Sequence, residues 1–390
     1  MCSSRLALVI LIHLLYLSYP SASEAHAELD SGLSQLRPPP QLPEGLVAAE
    51  VVELPDDYQP PEPPGYPDNP SSYRGPKVAG YKLVLSGQLD KDLTLSAENT
   101  PALVRGMLIV PAGRTLLLKN GARLYLQPDL HGKTPNVEGA PDPTANGMLW
   151  IYGRLLSDGL SAGRVALHGA GPSGAGLFFY GEEASELRGA DLHDTATTQA
   201  SGTVQWLGCT FNRCAHYALA RGAGLFVHCD FKRCGGVLAT YDAGPWSLLV
   251  KRCQFEGGNE GLVLGSDPGI ERLIVEQNHF EKLAGAHLRA MPVEKGRPLE
   301  LLIGENWHGT SAPEEFDARI VDRRSNPRLS ARINTRPPAE GPYAAVGAGA
   351  PMQDLARTYQ ELAAARQTLL AAQRAKSKLW SQRKTTAQKP

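Results

Sequence analysis

The chain has 390 residues, with 39 Lys and Arg against 40 Asp and Glu, a formal net charge of −1, 40 Gly, 31 Pro and 6 Cys. This balance gives no general basic character, which argues against nucleic acid as a partner. Charge is instead concentrated at the ends: residues 28–76 carry nine acids against Arg37 and Arg74, and residues 351–390 carry eight bases against Asp354 and Glu361.

In chain order, residues 1–27 read as an export signal. Arg5 supplies a basic start, residues 6–17 form an apolar stretch broken only by His13, and Ala25-His26-Ala27 offers a cleavage site, with Ser21-Ala22-Ser23 as competitor. The stretch is short for a membrane span, and no Cys follows it to accept a lipid. The expected location is secreted, periplasmic or in the cell envelope, with no transmembrane segment once the signal is removed. Residues 28–79 then read as an acidic, Pro-rich linker. Prolines cluster at Pro38-Pro39-Pro40, Pro60-Pro61 and Pro63-Pro64, then Pro67, Pro70 and Pro76. Proline fixes φ and removes backbone donors, so residues 28–76 are expected to be an extended spacer without secondary structure.

Residues 80–338 carry the pattern that decides the fold. Gly208-Cys209-Thr210-Phe211-Asn212-Arg213-Cys214 returns as His228-Cys229-Asp230-Phe231-Lys232-Arg233-Cys234. Weaker copies are Arg252-Cys253-Gln254-Phe255-Glu256, Gln277-Asn278-His279-Phe280-Glu281 and Glu305-Asn306-Trp307-His308-Gly309, giving intervals of 20, 24, 25 and 28 residues. Self-similarity at this period marks a solenoid. Short apolar strands precede each copy (204–207, 225–227, 248–250, 273–275, 301–303) and others follow it. Such strands cannot bury a face alone but do so by stacking coil on coil, about 4.8 Å per turn. Aligned backwards, 190–192 and 166–168 read as degraded copies. Cys209, Cys229 and Cys253 are expected to stack, with Asn278 and Asn306 continuing the same corner, and the Phe211, Phe231, Phe255, Phe280 column is expected in the core.

The segment Val110-Pro111-Ala112-Gly113-Arg114-Thr115-Leu116 resembles the opening coil of secreted right-handed parallel β-helix proteins of the pectate-lyase-like superfamily. Asn306-Trp307-His308-Gly309, followed by Ile320-Val321-Asp322 and Asn326-Pro327, resembles the closing coil of the same proteins. The resemblance implies an all-β, right-handed parallel β-helix, and it is weak for function, because this fold carries lyases, hydrolases, adhesins and structural domains alike.

After residue 338 the pattern stops. Residues 339–351 read as a Gly/Ala hinge and 352–380 as an amphipathic helix with Met352, Leu355, Tyr359, Leu362 and Leu369 on one stripe, followed by a basic tail, 381–390, expected to be disordered. The stripe is expected to cover the open end of the solenoid, or else to self-associate with a second copy.

Five cysteines remain after the signal. They read as an inward ladder of small apolar thiols or, in an oxidising compartment, as a ladder containing a disulfide, for which Cys214–Cys234 or Cys209–Cys229 are near enough. A Cys-x4-Cys spacing does not suit zinc, and neither a metal nor a cofactor site is read. No column suggests the paired carboxylates of acid/base glycoside cleavage, so no catalytic residue is assigned. Arg213, Arg233 and Arg252 read as a basic stripe able to face an anionic glycan, with His308 in the last coil as a further binding residue. The expected function is a structural or binding module of the envelope or extracellular space, for anionic polysaccharide or an envelope protein; the alternative is a polysaccharide lyase or glycoside hydrolase with a diverged site. Trp307 is expected to cover the end of the core, its truncation costing about 3–5 kcal/mol.

Overall fold

A computed structural model describes residues 50–53, 80–127, 147–160, 163–169, 175–219, 222–239, 246–265, 270–292, 299–368 and 371. Within them the protein is mostly β, with parallel strands in stacked sheets and few helices, an arrangement consistent with a parallel β-helix. The expected signal segment 1–27 and basic tail 381–390 lie outside the described residues. No helix among the described residues is long and apolar enough to cross a membrane.

Each complete coil contributes three strands. The first row runs through Thr203–Leu207, Gly222–Val227, Trp246–Lys251 and Ile270–Glu276. The second runs through Ala190–His193, Thr210–Asn212, Asp230–Lys232, Gln254–Glu256 and His279–Glu281. The third runs through His216–Leu219, Val237–Ala239, Leu262–Leu264 and Leu288–Ala290. The repeated motif is thus itself a three-residue strand between two corners. Its register carries Phe211 onto Phe231, Phe255 and Phe280, as expected. Further back, Asp191 pairs with Ala166, so the early copy starts at Val165, one residue before the position read from sequence.

The corners explain the spacing. Gly208, His228, Arg252 and Gln277 precede the motif strand with φ of 61°, 51°, 55° and 58°; Asp194, Arg213, Arg233, Gly257 and Lys282 follow it with φ of 53°, 55°, 55°, 64° and 53°. Non-glycine residues in this left-handed region cost about 1–2 kcal/mol each. They persist because the stacked strands on either side fix the corner.

Two kinds of interior column hold the stack. The Phe rings lie parallel, 4.7, 4.6 and 4.8 Å apart between successive centroids. At the corner, the Cys229 thiol donates to Trp206 O at 3.3 Å, and Cys253 Sγ accepts the Cys229 N–H at 3.3 Å. Asn278 repeats this pattern more strongly. Its Oδ1 accepts the Cys253 N–H at 2.8 Å and its Nδ2 donates to Val250 O at 3.0 Å, while Asn306 Oδ1 accepts both the Asn278 N–H and its Nδ2 at 2.9 Å. All five cysteines are buried free thiols, as in the ladder reading, and the alternative Cys214–Cys234 disulfide is not formed in this structure; Cys214 and Cys234 donate instead to carbonyls one coil back, Leu192 O and Phe211 O.

The ends are closed by devices that the pattern did not reveal. At the N-terminal end Glu50–Glu53 pairs antiparallel with Leu83–Gln88. This strand falls within the segment expected to be featureless. It forms because no proline lies between Pro43 and Pro55, which leaves Val51-Val52 free to pair. At the other end Ala331–Thr335 is paired on one side with Leu299–Ile303. The buried Asp322 carboxylate accepts the Ile333 N–H at 2.8 Å, and Arg324 Nη2 donates to Ile333 O at 3.2 Å. Burial pushes the Asp322 carboxyl up, but hydrogen bonds from Arg324 and from the Ile333 and Arg324 amides outweigh it and hold it below its ordinary value. A sheet edge saturated by side chains is a poor template for another strand.

The C-terminal segment does not cover that end. Residues 343–350 turn back along the stack as a strap, and the helix Met352–Glu361 lies on the outer face of the first row. There Leu355 and Leu362 pack with Leu207, Leu225, Val227 and Leu249, and Lys251 Nζ bridges Glu276 and Glu361 at 2.9 Å each. Those outward leucines and valines form an apolar stripe on the sheet, so the helix is drawn to the flank. The part of its own stripe proposed for self-association is spent within the chain.

Candidate ligand-binding face

Strand alternation sends Phe211 inward and its neighbours outward, so the second row carries two outward columns. The first places Tyr125, His168, His193, Asn212, Lys232, Glu256 and Glu281 in register. The second places Asp191, Thr210, Asp230, Gln254 and His279 beside it, with Trp307 next in the following coil.

The N-terminal part of the first column is a stack of planar side chains. The Tyr125 and His168 rings lie 4.6 Å apart at 11°, and His168 and His193 lie 5.0 Å apart at 13°. Asn212 continues the row, with Nδ2 3.4 Å from His193 Nδ1 and Oδ1 accepting Arg233 Nη2 at 3.1 Å. That geometry makes His193 Nδ1 the acceptor, leaving the proton on Nε2. Burial, reinforced by His193, pushes His168 down to about 4, and burial also lowers His193. Both imidazoles are therefore neutral at pH 7. Tyr125 is buried, whereas His168, His193 and Asn212 remain partly exposed.

Charges flanking the stack are internally paired. Arg164 Nε donates to both Asp191 oxygens at 2.8 and 2.7 Å, and Arg164 Nη2 donates to Gly208 O at 2.9 Å. Arg213 grips Asp194 with Nε at 2.6 Å and Nη2 at 2.5 Å. The Asp194 side chain is 4% exposed, so this pair is largely withdrawn from solvent on the carboxylate side.

The basic stripe read from sequence does not assemble. Arg213 and Arg233 occupy the corner after the motif strand, but Arg252 occupies the corner before it, because it precedes its cysteine where the other two arginines follow theirs by four residues. Arg252 Nε donates to Gln277 Oε1 at 3.2 Å. His308 is displaced further still, from surface to interior. It stacks on Phe280 at 5.1 Å as the last ring of the Phe column, and its Nδ1 lies 3.0 Å from His287 Nδ1. Buried at 4% exposure, it cannot touch a ligand on the outer face. Trp307 takes the outward position instead, half-buried, with Nε1 donating to Glu281 at 3.2 Å. The two neighbours have exchanged their expected roles, since one residue along a strand reverses the face.

Tyr125, His168, His193 and Arg164 were not singled out in the sequence. The available signal was the interval of 25 residues between His168 and His193, equal to one coil. A second concavity, a groove of about 570 Å³ bordered by Thr94, Glu98, Asn99, Lys119 and Asp158, lies at the N-terminal coils. Its Asn99 is committed to the local turn, accepting the Ser96 N–H and donating to Thr94 O. No group of three or more His, Cys, Asp or Glu side chains suited to a metal ion occurs among the described residues.

Comparison with protein-family models, with curated proteins and with solved structures finds no match for this chain.

Proposed function

We propose that the chain is an exported right-handed parallel β-helix of the pectate-lyase-like type, and that it acts as a binding module for a linear glycan. The observation that carries this reading is the row Tyr125–His168–His193–Asn212, which offers one planar polar side chain per coil at 4.6–5.0 Å between rings. Because each ring face in the row is covered by the next ring, what the face offers a sugar is the outward edges: the ring nitrogens of His168 and His193 and the Asn212 amide, which meet hydroxyls. The pairing of Arg213 with Asp194 and Arg164 with Asp191 removes the positive field that an anionic chain would need. A largely uncharged glycan therefore suits the face better than the anionic one first expected. The same carboxylates, held by guanidinium groups, are poorly placed to trade protons, which favours binding over the alternative of a diverged lyase or hydrolase.

Titration calorimetry with neutral linear hexasaccharides (cello-, xylo- and manno-) and with hexagalacturonate tests this reading. Replacing His168 and His193 by alanine together should weaken binding of a neutral probe about tenfold, as expected for the loss of two hydrogen-bonding ring edges. Preference for the acidic probe, or unchanged affinity in the double variant, overturns it. New reducing ends appearing during incubation would favour the enzyme.

A further inference from the structure

Beside the binding row, the second outward column is open only as far as Asp230. From there to His279 the column is occupied by residues 343–348 of the same chain. Tyr343 N–H donates to His279 Nε2 at 2.8 Å, and its ring lies over that imidazole at 6.1 Å between centroids. Tyr343 Oη donates to Glu305 at 2.7 Å. Gly347 N–H donates to Arg252 O at 2.9 Å, and Ala348 N–H donates to Asp230 Oδ1 at 3.0 Å. Gly347 has φ of +81°, and a Cβ there would run into Asp230 Oδ1. The strap thus runs along the stack through bends at 344, 345 and 347, presenting donors to side-chain acceptors and a ring to an imidazole. Those are the contacts a hydroxyl-bearing linear polymer would make on the same face.

The strap is held differently from the segments on either side of it. Ahead of it, Ala339 N–H donates to Asn306 O at 3.0 Å. Behind it, the helix is fixed by its leucines and by Thr358. The Thr358 hydroxyl donates to Asp354 O at 2.9 Å, so His228 Nε2–H donates to Thr358 Oγ1 at 3.0 Å. Between these anchors the strap itself contributes few buried apolar groups, and its residues 340–346 are partly or fully exposed. Segments with few apolar contacts and exposed hydrogen bonds open at low cost.

We propose that residues 343–348 are a displaceable self-ligand that covers Asp230, Gln254 and His279, so that the binding face reaches its full length only when the strap lifts. This rests on the ladder Tyr125–His168–His193–Asn212 being the open part of the same face. A ligand short enough for the open coils would not feel the strap, whereas a longer one must displace it and binds more weakly by the fraction of molecules with the strap lifted.

Gly347→Ala ejects the strap through its Cβ, and Tyr343→Ala removes the ring contact; neither alters a side chain of the face. Hydrogen exchange should show loss of protection at the amides of Tyr343, Gly347 and Ala348, with the helix Met352–Glu361 unchanged. In the same variants a neutral hexasaccharide should bind at least tenfold more tightly, while the corresponding trisaccharide binds as it does to wild type. Retained protection in both variants overturns the proposal, as does released protection with unchanged hexasaccharide affinity when wild type binds. If neither wild type nor variants bind any neutral probe, the glycan reading and the self-ligand fall together.

Discussion

The inward and outward sides of the motif strand, one residue apart in sequence, obey different rules. Inside, Phe211, Phe231, Phe255 and Phe280 repeat the same residue in the same orientation, with interplanar angles of 5°, 3° and 11°. Outside, the column beside them changes chemistry from Tyr and His through Asn to Lys and Glu. A packed interior in which each ring rests on another leaves little freedom. The outer face has no such constraint, so its composition is available for recognition and differs coil by coil. Damage inside should therefore appear as lost stability, and damage outside as lost binding.

The sharpest test of that division is Phe231→Ala. Its ring is sandwiched between Phe211 and Phe255 and touches Phe226, so no neighbour can collapse into the space without breaking another stack. We expect a loss of about 3–5 kcal/mol in urea unfolding. A smaller loss than for His193→Ala would break the comparison.

Asn278 comes next. Replacement by alanine leaves the Cys253 N–H and the Val250 carbonyl without their partners, at about 1–3 kcal/mol for each buried group orphaned. Asn278→Asp should be worse, since it turns an oxygen toward both Val250 O and Asn306 Oδ1. Cys253→Asn, in contrast, should be tolerated, because thiol and amide fill the same donor–acceptor role at this corner. Equal melting temperatures for Asn278→Ala and wild type would show that the corner ladder contributes nothing.

Much of the interior was legible because repetition makes it so. The Cys and Asn corner column, the Phe core and the parallel stacking follow from intervals of 20 to 28 residues. What could not be read depends on events that happen once. The strand at Glu50–Glu53 relies on a short proline-free stretch, and the cap of the final edge relies on Asp322 reaching Ile333 eleven residues on. The strap relies on Gly347 meeting Asp230, more than a hundred residues earlier, and no periodicity announces that. Face assignment failed at Trp307 and His308 for a related reason. The motif degrades there, and a shift of one residue exchanges inside for outside.

That exchange makes acid sensitivity a third test. His308 is pushed down to about 3 by burial and His287, and His287 to about 4 by burial and Arg319. Their Nδ1 atoms face each other, so one must donate and the other accept; protonating the accepting Nδ1 destroys the bond, and protonating the donor ring at Nε2 leaves the bond but places a charge in the buried end of the core. Because both folded values lie below the ordinary histidine value of about 6.5, the unfolded chain takes up protons first. Stability is full above pH 6.5 and falls as the pH drops toward 4. At pH 5 the His308 contribution should be reduced by about 2 kcal/mol. His308→Phe, extending the Phe column, should flatten the decline between pH 6.5 and 4 even though it leaves His287 without its partner. A decline of unchanged slope would place the responsible protons elsewhere.

The smallest effect is expected at Trp307, where sequence alone suggested one of the largest. Its side chain stands outside the core, half-buried, in register with His279 and tied to Glu281 by a single indole hydrogen bond of 3.2 Å. Truncation opens no interior cavity, because the space under this coil is filled by His308 and Phe316, whose rings meet at 4.4 Å. What is lost is one partly solvated hydrogen bond and some apolar area, together about 1 kcal/mol. Trp307 also adjoins the His279 position that anchors the strap. Trp307→Ala should therefore change hydrogen exchange at Tyr343 more than it changes the melting temperature. A Trp307→Ala variant destabilised by as much as Phe231→Ala would show that the last coil, unlike those before it, has no clear inside and outside.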